Sequence, residues 1–324
     1  MKKLVAILLT LALLVTAFAG CAAETTEEDV TIRIGGLKGP TSMGLVKVME
    51  DDEAGTSLND YEFTIAASAD EVTPKLIQGE LDIVAVPANL ASVLYNNTEG
   101  AVQLLAINTL GVIYIVEKGE SIQSVADLKG KTIYATGKGS TPEYALRYIL
   151  AENGVNPDTD VTIEWKSEPT EVVATLNSTE DGVAMLPQPF VTVAQGSVEG
   201  LRVAIDLTEA WDALDNGSML LTGVLLVRRE FAEAHPQALA DFLEEYEAST
   251  TFVNENPADA SVIIEKVGIV KAAVAEKAIP YCNITFIAGD DMKAPMDGYL
   301  AVLFEQNPKS VGGTLPDEDF YYAE

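Results

Sequence analysis

The sequence predicts an α/β protein of two lobes, with a helical layer at the C-terminal end. Two observations lead to this prediction. Short apolar segments with strand character alternate with helical segments from residue 31 to residue 228, and the chain then becomes mostly helical. Such alternation is typical of parallel βαβ units, and the alternating stretch is long enough for two groups of them.

An export signal is predicted over residues 1–20. Lys2 and Lys3 form a short basic start, and residues 4–18 form an apolar stretch shorter than the roughly 20 residues that a membrane-spanning helix needs. The stretch ends in Phe18-Ala19-Gly20-Cys21, which resembles the lipobox of bacterial lipoproteins apart from Phe18 in place of the more usual Leu. The resemblance implies that Cys21 is lipidated and becomes the N-terminus of a membrane-anchored chain.

A flexible tether is predicted over residues 21–30, because residues 22–29 contain four acids and no large apolar side chain. Loss of Lys2 and Lys3 with the signal takes the formal charge from −30 to −32. So large an excess of acids favours solubility and disfavours a nucleic-acid interface. One His and two Cys in the whole sequence disfavour a multi-His or multi-Cys metal site and exclude a disulfide framework.

The first lobe is predicted to begin with alternating strands and helices directly after the tether. Gly79 is placed to end a short helix in the left-handed conformation, which supports the division of the segment at that point. The predicted strands are 31–37, 61–67 and 81–86, and the predicted helices are 42–52 and 75–78.

The second lobe repeats this alternation, and a long apolar strand over 219–228 follows it. The lobe boundaries are predicted as 31–110 with 220–324 for lobe 1 and 111–219 for lobe 2. In the tail, a helix over 236–252 places Leu239, Phe242, Leu243 and Tyr246 on one face, and we expect this layer to pack on lobe 1. The remaining predicted elements are the strands 131–135, 161–165, 182–186 and 201–205 and the helix 143–153.

Three strand-to-helix loops present hydroxyls and backbone amides where ligands of open α/β sheets bind, beyond the carboxyl ends of the strands. Gly39-Pro40-Thr41-Ser42 offers Thr41 or Ser42 as a helix N-cap, and Ser68 with Glu71 matches a capping box. Pro74 makes a later helix start at Thr73-Pro74 a rival to the Ser68 box. The third loop, Gly137-Lys138-Gly139-Ser140-Thr141-Pro142, predicts Thr141 as the N-cap.

Lys38 and Lys138 lie beside two of these loops, in a chain that has few basic residues. They predict a local positive focus for an acidic or strongly hydrogen-bond-accepting ligand group. Helix capping by the loops and solvation of both lysines remain the simpler interpretation of each loop taken singly.

Five segments in order resemble the substrate-binding lipoproteins of bacterial ABC importers. The resemblance is to the type II periplasmic-binding fold, in the branch of sulfonate, taurine and thiamine-precursor binders, and it covers nearly the whole chain after the signal. The segments are Ile34-Gly35-Gly36-Leu37-Lys38-Gly39-Pro40-Thr41-Ser42, Gln78-Gly79-Glu80-Leu81-Asp82-Ile83 with Val86-Pro87-Ala88-Asn89, Val125-Ala126-Asp127-Leu128-Lys129-Gly130-Lys131, Gly137-Lys138-Gly139-Ser140-Thr141 and Leu186-Pro187-Gln188-Pro189-Phe190.

The resemblance implies a two-lobed fold with a ligand cleft between the lobes. It further implies that the chain crosses between lobes near 108–116 and near 218–227 and that the lobes close on a small-molecule ligand. It also implies a monomer that works with an ABC permease and an ATPase, needs no cofactor, and faces the outside of the bacterial cell membrane. The predicted ligand-binding residues, from the loops and the matching segments together, are Thr41, Ser42, Ser68, Asn89, Thr109, Ser140, Thr141 and Gln188.

Catalytic residues are scarce. His235 precedes Pro236 at a predicted helix start, where a capping or solvated role is expected, and Cys282 lies in an apolar stretch typical of a packed thiol. We therefore predict no enzyme, with an exported enzyme on the same fold or a sensor without a permease as the alternatives. The aromatic residues Tyr144, Trp165 and Phe190 are predicted either to line the cleft or to pack in the core.

Replacing Cys21 by Ala tests the predicted anchor. Without the thiol no diacylglyceryl group can attach, so we expect a chain that is uncleaved or cleaved elsewhere and that is poorly retained by membranes. Processing is measured by the mass of the chain, and retention by membrane fractionation. Unchanged processing together with unchanged retention would contradict the lipobox interpretation.

Overall fold

The computed structural model describes residues 30–323, and the chain from Thr31 onward forms one unit. The predicted signal over 1–20, the lipidation of Cys21 and the tether as far as residue 29 lie outside the described residues. Within the described range, no helix combines the length and the apolar character that crossing a bilayer requires.

The first of two sheets has six strands: β1 (Thr31–Leu37), β2 (Asp60–Ala66), β3 (Ile83–Pro87), β4 (Val102–Leu110), β10 (Leu221–Arg228) and β11 (Ile284–Ala288). Their order is β11-β4-β10-β3-β1-β2. Strand β1 runs parallel to β2 and β3, whereas β10 is antiparallel to β3 and β4, and β11 is antiparallel to β4.

The second sheet has five strands: β5 (Ile113–Lys118), β6 (Thr132–Ala135), β7 (Thr162–Trp165), β8 (Val183–Pro187) and β9 (Leu201–Asp206). Their order is β7-β6-β8-β5-β9. Strand β6 is parallel to β7 and β8, and β5 is antiparallel to β8 and β9. The predicted parallel βαβ units are present in both sheets, and the antiparallel strands make each sheet mixed. In the six-stranded sheet β10 and β11 run against the other four strands, and in the five-stranded sheet β5 runs against the other four.

The chain crosses from the first sheet to the second in the two residues Gly111 and Val112, between β4 and β5. It returns between the end of β9 and the start of β10, through residues 207–220. The predicted second crossing at 218–227 overlaps mostly with β10 itself, so the connection lies earlier in the chain than the sequence indicated.

Helices connect the strands of both sheets. In the first part of the chain they are α1 (Pro40–Met43), α2 (Val46–Ala54), α3 (Ala69–Ile77) and α4 (Ala88–Asn97). In the part with the five-stranded sheet they are α5 (Thr141–Glu152), α6 (Pro169–Ser178), α7 (Phe190–Ser197) and α8 (Leu207–Asp212).

Two predicted helices differ from the observed ones. The predicted helix 42–52 is divided at Gly44 and Leu45 into two helices. The backbone of Gly44 lies so close to the Tyr246 hydroxyl that an added Cβ would stand 2.7 Å from it, which explains the glycine at this position. The predicted helix 75–78 begins earlier, at Ala69, with the Ser68 capping box formed. Pro74 is tolerated inside this helix because the carbonyl it leaves without a donor belongs to the exposed residue Asp70.

The C-terminal layer consists of α9 (Arg229–Ala234), α10 (Pro236–Glu255), α11 (Pro257–Lys266), α12 (Ala272–Ala278) and α13 (Lys293–Gln306). Helix α10 buries the four predicted side chains, Leu239, Phe242, Leu243 and Tyr246, as the sequence indicated. Helices α10 and α11 pack against α2, while α12 also contacts α7 on the five-stranded side.

One hydrophobic core runs through both sheets. Its buried members include Ile107 of β4 and Ile115 of β5, together with Trp211 of α8 and Tyr299 of α13. Because these four residues come from both sides of the crossing, the two sheets share part of their apolar interior.

A buried carboxylate directly before β3 links the neighbouring strands β1 and β10 of the six-stranded sheet. Asp82 is 1% exposed and accepts hydrogen bonds from Arg33 Nε (2.8 Å), Arg33 Nη2 (2.7 Å) and Arg228 Nη2 (2.9 Å). Burial alone would raise the pKa of Asp82, but the hydrogen bonds from the two guanidinium groups outweigh it and hold the pKa below its ordinary value of 3.8.

Replacing Asp82 by Asn should lower the free energy of unfolding at pH 7 by roughly 3 kcal/mol, because two arginines lose a buried counter-ion. Since the folded pKa is depressed, the carboxylate contributes its full stability above about pH 4 and loses it as the pH falls further. We therefore expect the difference between the two proteins to shrink in acid. Urea unfolding at several pH values measures it.

Glu230→Gln is the matched control, because Glu230 pairs with the same Arg228 but its side chain is 87% exposed. Its effect should stay within about 0.5 kcal/mol. Equal effects of the two substitutions would show that the buried cluster does not support the sheet.

Candidate functional site

A cavity of about 360 Å³ lies where loops of the two sheets face each other. Six of its lining segments follow the carboxyl ends of strands, namely β1, β2 and β3 of one sheet and β6, β7 and β8 of the other. The first crossing adds Val112 and Ile113, and β10 adds Thr222. Its volume suits a small organic molecule.

The charged side chains that line the cavity are mostly basic. Lys38 comes from the six-stranded side, Lys138 and Lys166 come from the five-stranded side, and Asp70 is the single acid among the lining residues. Lys38 and Lys138 form no ion pair with any residue between 30 and 323, whereas Lys166 Nζ lies 3.4 Å from Glu164 and 5.4 Å from the centre of the Tyr134 ring. Two ammonium groups are thus free to meet an anion.

The helix N-termini at the cavity already hold carboxylates of their own helices. Glu71 accepts from the amides of Ala67 and Ser68, both at 3.1 Å, in the loop before α3. In the same way Glu143 accepts from Gly139 N at 2.7 Å before α5, and Glu171 accepts from Ser167 N at 2.9 Å before α6. The amides of these four loop residues are therefore occupied by carboxylates in this conformation.

Three of the predicted ligand-binding residues line the cavity: Thr41, Ser68 and Ser140. The Thr41 hydroxyl is buried and has no hydrogen-bond partner among the described residues, which leaves it available to a ligand. Ser140 donates to the carbonyl of Gly137 at 2.8 Å, and Ser140 rather than Thr141 is the N-cap of α5. The predicted N-cap was thus one residue too late.

The other five predicted residues are buried beside the cavity and do not line it. The Thr141 hydroxyl contacts both Asn89 and the Tyr299 hydroxyl, and Thr109 donates to the side chain of Asn108 at 3.0 Å. Gln188 accepts from the Thr192 hydroxyl at 2.9 Å. The fifth residue, Ser42, lies against Gly36, where an added Cβ would stand 2.2 Å from the Ser42 hydroxyl oxygen. Direct ligand contact by these five stays a prediction.

The sequence missed two polar residues of the cavity. Lys166 directly follows β7, and the rule that ligands bind beyond the carboxyl ends of strands could have identified it. Thr222 carries a buried hydroxyl that, like that of Thr41, has no partner among the described residues, but no sequence signal marks it. Of the three aromatic candidates, Phe190 lines the cavity, while Tyr144 and Trp165 pack against the core.

Groups suited to metal binding or covalent catalysis are not assembled at this site. Residues 30–323 contain no group of three or more His, Cys, Asp or Glu side chains placed to hold a metal ion. The His235 ring packs on Phe231, with ring centres 5.0 Å apart, at the start of α10. Cys282 is fully buried, and burial raises the pKa of its thiol, which disfavours the reactive thiolate.

The family model described as "ABC transporter, phosphonate, periplasmic substrate-binding protein" matches residues 53–278 of this chain. Curated relatives include a binding protein of Brucella abortus and one of Brucella suis. Each is 26% identical to this chain over 164 residues, which is 51% of this chain and 49% of the relative. The chain thus matches about half the length of these relatives.

Solved structures share the fold. An ABC transporter structure from Parabacteroides distasonis has a TM-score of 0.76 at 23% identity, covering 91% of this chain and 100% of that chain. The periplasmic aliphatic sulphonate binding protein SsuA from Escherichia coli has a TM-score of 0.69 at 18% identity, covering 87% and 90%. The predicted fold class is confirmed by these likenesses.

Proposed function

Because the chain belongs to the family of periplasmic substrate-binding proteins of phosphonate ABC transporters, we propose that it captures a small organic anion in the cavity and delivers it to an ABC importer. The family consists of binding proteins, so the prediction that the chain is not an enzyme is confirmed at the level of the family. The permease and the ATPase are the proposed partners, and the receptor is proposed to act as a monomer.

The three lysines of the cavity carry this proposal. They converge on one volume of about 360 Å³ in a chain whose formal charge is −30, so the cavity is a local exception to the charge of the molecule. In a partly enclosed site an ammonium group interacts with an anion more strongly than it does in open water. The unpartnered hydroxyls of Thr41 and Thr222 add hydrogen-bond donors on the six-stranded wall.

A phosphonate or a sulfonate is the ligand class that we propose. The description of the family names phosphonate, and one protein of similar structure is a sulphonate binding protein. Both groups are tetrahedral anions whose oxygens can accept from several donors at once. The cavity also has apolar walls, including Leu37, Leu90 and Phe190, which suit a short organic substituent.

We also propose that the receptor is anchored outside the bacterial cell membrane through lipid on Cys21. The apolar signal and the lipobox-like Phe18-Ala19-Gly20-Cys21 support this proposal. An anchor would hold a strongly acidic protein close to a permease despite repulsion from anionic lipids.

The lobes that carry the cavity walls are proposed as 31–110 with 220–324 and as 111–219. The strands of the six-stranded sheet fall in the first set and those of the five-stranded sheet fall in the second, which supports this division. Ligand is proposed to draw the lobes together by rotation about residues 111–112 and 207–220. The shared core should keep this motion small.

Calorimetry with methylphosphonate, ethanesulfonate and the neutral ester dimethyl methylphosphonate tests the charge requirement. We expect at least one anion to bind and the neutral ester to bind much more weakly. Replacing both Lys38 and Lys138 by Ala should weaken binding of the anion by about tenfold or more, because hydrogen bonds to charged groups contribute roughly 1.5 to 3 kcal/mol each. Added salt should weaken binding to the native protein more than to the variant.

Lys277→Ala is the control for this experiment, because Lys277 is exposed in the last turn of α12 and does not line the cavity. It removes one positive charge without touching the site, so affinity should not change. Preference for the neutral ester, or equal losses from the cavity variant and Lys277→Ala, would contradict the anion proposal.

Lobe closure has its own test in small-angle scattering and thermal unfolding with the anion that binds best. The radius of gyration should fall on binding. The melting temperature should rise by several degrees, since ligand at a hundredfold excess over Kd adds about 2.7 kcal/mol to the folded state. A scattering curve that stays the same while the melting temperature rises would show binding without closure.

A further inference from the structure

A buried polar contact links the two sides of the molecule next to the cavity. The hydroxyls of Thr141 and Tyr299 are 2.8 Å apart, and the Thr141 hydroxyl lies 3.5 Å from both the amide and the side-chain oxygen of Asn89. All three residues are 0% exposed. Thr141 begins α5 on the five-stranded side, whereas Asn89 in α4 and Tyr299 in α13 belong to the six-stranded side.

The contact sits at the base of the loop that carries Lys138. Thr141 directly follows this loop, residues 137–140, and Asn89 Nδ2 also approaches the carbonyl of Gly139 at 3.5 Å. Within the loop, Ser140 Oγ donates to Gly137 O, and Gly139 N donates to Glu143. Because the loop is bonded to itself and to α5, its position relative to the opposite wall depends on what holds the start of α5.

Tyr299 also supports α5 through aromatic packing. Its ring lies 6.0 Å from that of Trp211 in α8, and the Trp211 ring lies 4.8 Å from that of Tyr148 in α5, with distances measured between ring centres. Burial raises the pKa of Tyr299, so its hydroxyl stays protonated. One side chain of α13 thus contacts Thr141 at the start of α5 and Trp211, which packs on α5 one to two turns later.

We propose that Tyr299 and Asn89 are positioning residues that latch the start of α5 to the six-stranded side and so fix the Lys138 loop on the cavity wall. Neither residue lines the cavity, and their effect on a ligand passes through Thr141 and the loop. The part of this inference that concerns ligand affinity rests on the proposed function. The part that concerns the loop does not.

The latch also connects the cavity loop to the C-terminal segment. This segment is residues 308–314. Asn89 Nδ2 donates to the carbonyl of Ser310 at 2.9 Å. Further along α4, two more side chains donate to carbonyls of the segment: Ser92 to Val311 at 2.7 Å and Asn96 to Thr314 at 2.8 Å. One amide group therefore contacts both the C-terminal segment and, more weakly, the Lys138 loop. Displacement of residues 308–314 is expected to loosen that loop.

Hydrogen exchange by mass spectrometry on the protein carrying Tyr299→Phe tests the latch without any ligand. This substitution removes only the hydroxyl and keeps the ring. Exchange should become about fivefold faster in peptides that cover residues 137–146, in line with the loss of one hydrogen bond, while the rest of the protein changes little. Thr141→Val should give the same pattern, and Thr141→Ser, which keeps the hydroxyl, should restore slow exchange.

Tyr95→Phe is the control, because it also removes the hydrogen-bonded hydroxyl of a mostly buried tyrosine, in this case one that donates to Asp317 near the C-terminal end. Its faster exchange should be confined to residues 308–321. Unchanged exchange over 137–146 in Tyr299→Phe would overturn the latch. So would an increase spread evenly over the protein, or the same increase in Tyr95→Phe.

A second measurement follows the ligand. With methylphosphonate or ethanesulfonate as the probe, whichever the native protein binds more tightly, Tyr299→Phe should lower affinity about fivefold, mainly through faster dissociation, and Tyr95→Phe should not. Equal dissociation rates in the native protein and Tyr299→Phe would contradict the link from latch to ligand. Failure of the native protein to bind either probe would count against the proposed function, while the exchange pattern still decides the latch.

Discussion

The geometry of the cavity depends on the apolar core that the two sheets share. Each sheet buries its own strands, but residues from β4, β5, α8 and α13 pack into one continuous cluster across the crossing. Because densely packed interiors resist small displacements, this cluster holds the two walls on opposite sides of one cavity and limits how far they can move. The carboxyl ends of six strands then face one volume, and the loops that follow them supply its polar groups.

The side chains that line the cavity carry a net positive charge, whereas the molecule as a whole is strongly negative. A chain with 50 acids and 20 basic residues brings three lysines and one aspartate to the cavity. Three acids in the first turns of the neighbouring helices accept hydrogen bonds from backbone amides of the loops: Glu71, Glu143 and Glu171. This arrangement stabilises the loops, and the lysines and threonine hydroxyls of the cavity are the side-chain groups that an anion can meet.

Elements with clear local patterns were predictable from the sequence. Strand β1 has the predicted bounds, and α10 buries the predicted face, because periodicity and turn residues determine both. Strands β4 and β5 were not predicted as strands: they are buried along almost their whole length, so no alternation marks them. The sequence also located the loops of the site. The contact between the hydroxyls of Thr141 and Tyr299 joins residues 158 positions apart in the chain, and no local signal predicts such a contact. The same limit applies to Thr222, whose place at the cavity follows from the return of β10.

A crystal structure of the protein purified from cells without unfolding tests the central claim most directly, because a bound ligand would be seen together with its contacts. The account predicts electron density for a small molecule between the two walls, with an anionic tetrahedral group within hydrogen-bond distance of Lys38 or Lys138. Density for a ligand in another part of the molecule would contradict it. So would a neutral ligand that reaches none of the three lysines.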